Sequence, residues 1–403
     1  MLKKLSFSKI FFWVGVISLL LIYIILWAQM ITKSSDRTGT DFIIFWTAGR
    51  IAQTQNIDQI YNTELQREIE SELVGFYIET NKILPFNHPL HSLPFLSVLV
   101  SENYIASFIL WALLDTGIYG ISFLILGKFY PKKKNQVSHL GKILVGLSLF
   151  FPLFISILLG QDTAILFLGA ILLLIGTLSK RDFLAGVGLA ITTIRPHISL
   201  ALALPFIFKR QNIFKYFFLT SSAMVIISFL LLGSKGVQDF IHILLISATQ
   251  KGYGVKPETM LNSSGLLIRL FPLLGTNTVR LITWGAYIVS IIILSINWRQ
   301  TDKIRAPHLG LAILFSVFFA PHLNYHDLTL LVIPIFLVLI SGKLPVSQEN
   351  LSLVPLAISF ILTFTRPISF LYYSFPYLLM LSLIIFMQRE SKTHKNTDSF
   401  PNA

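Results

Sequence analysis

Residues 10–30 read IFFWVGVISLLLIYIILWAQM and carry no charged side chain. About 20 consecutive apolar residues suffice for a helix to cross the hydrocarbon core of a bilayer. The run is too long for the apolar region of a usual signal peptide, and no small-x-small cleavage site closes it. We therefore interpret it as an uncleaved membrane helix, preceded by Lys3 and Lys4, with its N-terminus in the cytoplasm.

The composition extends this interpretation to the whole chain. Hydrophobic residues make up 54% of the 403 residues and charged residues only 13%, against about 25% charged in soluble domains. Mean hydropathy is +0.71. The apolar runs are continuous rather than alternating, which disfavours a transmembrane barrel. We predict an all-α polytopic membrane bundle of about 10–12 transmembrane helices.

The net charge of +13 does not indicate nucleic-acid binding, because the basic residues form short clusters between apolar runs. This distribution follows the positive-inside rule and predicts which segments face the cytoplasm. The clusters are Lys3/Lys4/Lys9, Lys128 with Lys132–Lys134, Lys180-Arg181, Lys209-Arg210 with Lys215, Arg299/Lys303/Arg305 and Arg389/Lys392/Lys395.

The clusters divide the chain into one membrane domain with two outer loops. Residues 1–388 form this domain, residues 32–102 its acidic first outer loop, and residues 233–276 its second outer loop. Residues 389–403 read as a disordered cytoplasmic tail. We expect the plasma (inner) membrane as the location, with both termini in the cytoplasm and the active site on the extracytoplasmic side.

Short helices lying at the membrane interface are predicted at 42–54 and 62–80. Membrane helices are predicted at about 10–30, 104–126, 140–158, 163–179, 213–232, 278–297, 306–320, 327–341, 350–365 and 368–387. The remaining run, 183–208, has basic residues at both ends and Arg195-Pro196 at its centre. Because proline cannot continue a regular helix, we predict a hairpin of two short helices with its tip inside the bundle.

Asp41 is the first candidate functional residue. It opens the aromatic stretch Asp41-Phe42-Ile43-Ile44-Phe45-Trp46 beside the end of the first membrane helix. A carboxylate at this position suggests chemistry at the outer membrane surface. The alternative is that Asp41 only caps the helix that follows it.

Further polar groups are predicted to converge on the same side, and each has a structural alternative. Arg195 near mid-bundle needs a partner, and could simply form an ion pair with Asp115 or Asp162. Gln161-Asp162 could cap the next helix, and the 322–327 cluster could be an ordinary polar turn. The candidates are His88, His91, Gln161, Asp162, Arg195, His197, His322, His326 and Asp327.

A metal centre is a further alternative. His88-x-x-His91 and His322-x-x-x-His326-Asp327 have spacings that can place ligands on one helix face. Neither carries the His-Glu-x-x-His pattern, and prolines or turns flank both. The chain contains no cysteine, which excludes thiolate ligands and disulfides. We expect no metal and no cofactor.

One reaction needs both a carboxylate and a cationic group at the outer side of the membrane. A lipid-phosphate sugar donor holds its tail in the bilayer and its sugar outside. Transfer needs a base that takes a proton from the acceptor hydroxyl. It also needs cations or dipoles that stabilise the departing phosphate. Asp41 and Arg195 could supply these two parts.

The chain resembles the GT-C class of integral-membrane glycosyltransferases, most closely glycosyltransferase family 87, whose members include polyprenyl-phosphate-mannose-dependent mannosyltransferases. The matching pieces are Asp41-Phe42-x-x-Phe45-x-x-Ala48-Gly49, Ile60-Tyr61, Phe86-Asn87-His88-Pro89-Leu90 to Pro94, Gly160-Gln161-Asp162, Leu184-Ala185-Gly186 through Arg195-Pro196-His197, and Ala320-Pro321-His322 through His326-Asp327-Leu328 to Pro334. Two pieces depart from the family pattern. Asn87-His88-Pro89 stands for Tyr-Pro-Pro, and Arg195-Pro196 stands for Lys-Pro.

The resemblance implies an inverting hexosyltransferase with Asp41 as catalytic base. The donor would be a polyprenyl-phosphate sugar, and the acceptor a lipid or glycan hydroxyl among the membrane lipids. Neither a nucleotide-sugar site nor an Asp-x-Asp metal motif is implied. Donor-phosphate binding would fall to Arg195, His197 and His322, and substrate binding to His88, His91, Gln161, Asp162, His326 and Asp327.

Three rival functions remain at this point. A lipid or solute transporter, or flippase, would also use a broken helix at mid-membrane. It predicts two matching halves, which the sequence does not show. The second rival is a non-catalytic scaffold, in which Asp41 would be replaceable. The third is another GT-C activity, such as the transfer of a pentose or a hexosamine.

Overall fold

The computed structural model describes residues 7–38, 40–79, 82–89, 98–129, 137–248, 257–365 and 369–393. Within these ranges every regular element is helical, which confirms the predicted all-α bundle. Several predictions fall outside the described residues. They concern His91, Pro94, Lys132–Lys134, part of the second outer loop and the chain after residue 393.

The helices follow the apolar runs of the sequence closely. In the described part of the chain, 3₁₀ segments connect or extend them at Ile57–Gln59, Thr192–Ile194, Leu204–Ile207, Pro257–Thr259 and Tyr325–Leu331. The α-helices are α1 Phe7–Thr32, α2 Ser34–Thr38, α3 Phe42–Thr54, α4 Thr63–Val74, α5 Tyr104–Phe129, α6 Val137–Ser148, α7 Phe151–Leu159, α8 Thr163–Leu178, α9 Asp182–Ile191, α10 Pro196–Ala203, α11 Gln211–Ala248, α12 Ser263–Leu270, α13 Thr276–Gln300, α14 Ala306–Phe318, α15 Val332–Ile340, α16 Gln348–Leu351, α17 Leu353–Phe364 and α18 Ser369–Thr393.

Five of the described helices are long and apolar enough to cross a membrane: α1, α5, α11, α13 and α18. The α6–α7 pair is a sixth candidate, bent by 43° where Pro152 opens α7. Counted together with the 3₁₀ segments that adjoin them, the other apolar helices have 10–17 residues. The estimate of 10–12 spans counted several of these, which are shorter than the roughly 20 residues of a full crossing. The chain is an integral membrane protein.

The predicted hairpin at 183–208 is confirmed. Arg210, after the second arm, contacts both the carboxylate of Asp182 at the start of α9 and the carbonyl of Thr177. The two ends of the hairpin therefore meet, while Arg195 between α9 and α10 is buried at the tip. Close packing of α9 on α8 supports this arm, because a Cβ at Gly188 would lie 2.6 Å from the backbone nitrogen of Leu173.

Two other helices are longer than predicted. Helix α11 continues past the predicted end of its span, but breaks at Gly233, which has a φ of 64°. Helix α18 extends to Thr393, so residues 389–393 are helical and not part of a disordered tail.

Helix α3 has the predicted bounds, and it is buried among other helices of the protein. Most of its residues are buried in the protein, and its aromatic rings pack on α5. The ring centroids of Phe45 and Trp111 are 5.2 Å apart, and those of Phe42 and Phe108 are 5.3 Å apart. This packing fixes the start of α3, and with it Asp41, against the bundle.

Candidate active site

Arg195 lies at the centre of a buried polar cluster. The chain is non-helical there, with φ −120° and ψ 83°, because Pro196 opens α10 and Arg195 precedes it. One terminal nitrogen, Nη2, lies 3.0 Å from Oδ1 of Asp162, and Nε lies 3.3 Å from Oδ1 of Asp327. The ion pair with Asp162 that the sequence left open is therefore present. Asp115 is buried separately, and neither of its oxygens has a hydrogen-bond partner among the described residues.

His88 and Gln161 complete the surroundings of the guanidinium. Nδ1 of His88 lies 2.7 Å from Oδ2 of Asp162 and 3.3 Å from Nη1 of Arg195. Nη2 of Arg195 donates to Oε1 of Gln161 at 3.2 Å. Asp162 occupies the N-cap position of α8 but makes no side-chain capping bond, so the capping alternative is wrong. Its oxygens sit at ion-pair distance from Arg195 and His88 without an aligned hydrogen bond.

The 322–327 cluster is more than a polar turn. Oδ2 of Asp327 accepts a hydrogen bond of 3.0 Å from the backbone N–H of Asn324, which fixes the carboxylate. The other oxygen of Asp327 faces Arg195, and lies 3.7 Å from Nε2 of His326. The carboxylate of Asp327 therefore stabilises the turn at Asn324 and also forms an ion pair with Arg195 at the hairpin tip.

His197 and His322 are brought together beside this cluster. His197 follows Pro196 in the first turn of α10, and its side chain lies beside His322. The hydroxyl of Tyr287 donates to the carbonyl of His197. Nε2 of His197 and Nε2 of His326 are buried and have no hydrogen-bond partner among the described residues. Two imidazole nitrogens are therefore available beside the ion pairs.

Asp41 lies at the N-cap position of α3, but its side chain forms no capping hydrogen bond, so the capping alternative is wrong. The side chain is half-buried and interacts electrostatically with His326. Gly160, with φ 67°, lies directly against the start of α3, since a Cβ there would be 2.6 Å from Cβ of Phe42. The glycine lets the Gln161-Asp162 turn approach the start of α3.

Sequence reasoning did not single out two polar residues of α4. Glu70 is only 2% exposed, and Gln66 on the same helix is fully buried. Burial raises the pKa of Glu70 to about 8. Leu65, Ile69 and Leu73 recur at every fourth position of α4, and Gln66 and Glu70 adjoin this apolar face, which is the signal that could have found them.

The ion pairs leave a local excess of negative charge. The carboxylates of Asp162 and Asp327 surround the one guanidinium of Arg195, and the imidazoles of His88 and His326 lie beside these carboxylates. Buried charges of this kind are costly unless paired. Among the residues that the structure describes, no three His, Asp or Glu side chains group as metal ligands. The His88/His91 alternative falls partly outside them.

The comparisons with known proteins agree with this architecture. The family model of glycosyltransferase family 87 matches residues 86–321, which is more than half of the chain. The matched range includes His88 and Arg195, whereas Asp41 and Asp327 lie outside it. Neither the curated proteins nor the solved structures compared with the chain gave a match. On the extent of the family match, the chain belongs to glycosyltransferase family 87 and is an integral-membrane glycosyltransferase.

Proposed function

We propose that the chain transfers a sugar, mannose, from a polyprenyl-phosphate donor to a hydroxyl group of a lipid or glycan acceptor, with inversion at the anomeric carbon. The site lies on the extracytoplasmic side of the membrane, and both termini are cytoplasmic. The observation that carries the proposal is that Asp41, a carboxylate without a capping hydrogen bond, occurs together with Arg195, a buried cation held between Asp162 and Asp327.

Asp41 acts as the general base. Its carboxylate is half-buried and makes no capping hydrogen bond, so its lone pairs are available for an acceptor hydroxyl. As the acceptor oxygen attacks the anomeric carbon, its proton passes to Asp41. The bond from that carbon to the phosphate oxygen breaks, and its electron pair leaves with the polyprenyl phosphate.

Arg195, His197 and His322 hold the donor phosphate. The guanidinium already contacts Asp162, Asp327, Gln161 and His88. The phosphate therefore either displaces one of these partners or docks on the imidazole side of the cluster. The second route is favoured because Nε2 of His197 has no partner among the described residues. Either way the cation stabilises charge that develops on the leaving phosphate.

The remaining polar groups bind the sugar and the acceptor. Both oxygens of Asp162 lack an aligned hydrogen bond, so they can accept from sugar hydroxyls while still paired with Arg195. Gln161, His88, His326 and Asp327 line the same cluster. His91 is assigned to acceptor binding from the sequence pattern alone.

The direct test is transfer from polyprenyl-phosphate [¹⁴C]mannose by the purified protein in nanodiscs that contain an extract of the host membrane lipids. We expect labelled product with this donor and none with a nucleotide-bound sugar. Treatment with EDTA should leave the rate nearly unchanged. A protein that moves the donor across vesicles without forming product would instead be a flippase.

A further inference from the structure

Residues 83–88, the segment that ends at His88 of the candidate site, form neither a helix nor a strand. Backbone N–H and C=O groups in such a segment need partners from elsewhere when they are buried. Ile83 and Phe86 are buried at 1% and 0% exposure, and His88 at 6%. The position of His88 must therefore be set by contacts from other elements.

Two hydrogen bonds provide those contacts. The N–H of Phe86 donates to Oε1 of Gln66 at 2.8 Å. The hydroxyl of Tyr61 donates to the carbonyl of His88 at 2.7 Å. Both partners belong to the stretch formed by α4 and the turn before it.

Gln66 is the central member of this set. Its Nε2 donates to the carbonyl of Ile60 at 2.5 Å, while its Oε1 accepts from Phe86. One buried side chain thus joins the turn before α4 to the segment that carries His88. The pairing uses both ends of the amide, and an apolar residue of similar size would leave both backbone groups buried and unpaired.

Aromatic contacts then orient the imidazole ring of His88 on this anchored backbone. The ring of His88 lies 4.7 Å from that of Phe45 and 5.7 Å from that of Phe86, between centroids. Tyr61 stacks on Phe86 at 5.7 Å. Moving the 83–88 backbone would shift the Phe86 ring and release the imidazole from Asp162.

We propose that Gln66 is a positioning residue for the active site, which holds residues 83–88 so that His88 engages Asp162 and Arg195. The expected effect of Gln66 on the reaction rests on the proposed glycosyl transfer. The anchoring of residues 83–88 by Gln66 does not depend on it. Gln66 touches no reacting group, and it acts only through His88.

Hydrogen–deuterium exchange tests the structural content without any activity. In Gln66→Leu, peptides covering 83–88 should exchange at least tenfold faster, while peptides from α8 and α14 stay protected. Gln53→Leu is the matched control, since Gln53 also bonds a loop carbonyl, that of Val100, at 2.7 Å. Unchanged exchange over 83–88 in Gln66→Leu would overturn the proposal. Tyr61→Phe, which removes only the His88 carbonyl bond, serves if Gln66→Leu does not fold.

A double-mutant cycle tests the consequence. Misplacing a catalytic-site group by about 1 Å can cost on the order of 10²-fold in rate. We expect Gln66→Leu and His88→Ala each to lower transfer, and the double variant to be no slower than His88→Ala alone. Additive losses would show that Gln66 acts independently of His88. Absence of transfer by the unaltered protein would refute the proposed function and leave the exchange result to decide the role of Gln66.

Discussion

Arg195 and Asp162 lie 3.0 Å apart, although one is at the tip of a helical hairpin and the other at the start of α8. Both are buried, and Asp327 contacts the same guanidinium from a third segment. Three parts of the chain therefore meet at one cation. Such a network is costly to desolvate and gains little stability over apolar packing. Arg195, Asp162 and His88 of this network lie within the family match, which favours a role for them in the reaction.

Removing the cation should damage both stability and activity. Arg195→Met leaves Asp162 and Asp327 buried without a cation, which typically costs about 3–5 kcal/mol. Thermal unfolding in detergent should show this loss, and transfer should fall by about 10²-fold or more. Arg195→Lys keeps the charge but not the fork that reaches two carboxylates, so partial activity is expected.

A charge-balanced variant separates the two effects. Adding Asp162→Asn and Asp327→Asn to Arg195→Met removes the unpaired charges, and should recover most of the stability. Activity should stay low, because the cation and the two carboxylates assigned to substrate binding are all missing. Full activity in Arg195→Met alone would exclude a role for Arg195 in transfer.

Gly160 should not tolerate a side chain. Its φ of 67° is a left-handed conformation, which costs an L-residue roughly 1–2 kcal/mol, and the new Cβ would meet Phe42. Gly160→Ala should therefore lower the melting temperature and separate Asp41 from the cluster. Gly141→Ala is the control, since Gly141 lies in α6 with nothing within 4 Å of its Cβ position. Equal melting temperatures for the two variants would contradict this packing.

Glu70 should make stability fall as pH rises. Burial raises its pKa from 4.5 to about 8 in the folded protein, so between these values the folded state keeps a proton that the unfolded state has lost. Stability should then decrease by roughly 1 kcal/mol per pH unit over this range. Glu70→Gln, measured by thermal unfolding at pH 6 and pH 8, should remove this slope. Glu68→Gln, on the exposed face of α4, should retain it, and an unchanged slope in Glu70→Gln would refute the assignment.

Sidedness can be tested by thiol labelling, because the chain has no native cysteine. Ser35→Cys and Lys180→Cys each place one thiol at an exposed position. In intact cells, a membrane-impermeant maleimide should label position 35 and not position 180. The reverse pattern would place the site on the cytoplasmic side.

The sequence predicted features that arise from local chemistry. Pro196 within an apolar run predicted the hairpin, and charge clusters predicted its two ends on one side. The environment of α3 was not predictable, because an aromatic amphipathic stretch fits a lipid surface as well as a protein groove. Burial of Gln66 and Glu70 depends on residues 83–88 crossing α4, a tertiary contact that the apolar face of α4 alone does not specify. The link between Arg195 and Asp327 likewise depends on packing between distant segments.

The role of Asp41 is tested most directly by Asp41→Asn, which keeps the size of the side chain and removes its basicity. The variant should fold with an unchanged melting temperature, because the carboxylate makes no capping bond. It should still bind the lipid donor. Asp58→Asn, also half-buried in the first outer loop, is the control and should behave as the unaltered protein.

The decisive measurement is the rate of mannose transfer from the polyprenyl-phosphate donor by Asp41→Asn at saturating donor. A general base contributes about 10²–10⁴-fold, so we predict a loss of at least about 10²-fold while donor binding persists. Transfer at the unaltered rate would contradict the assignment of Asp41 as the base, and would direct attention to Asp162 and Asp327.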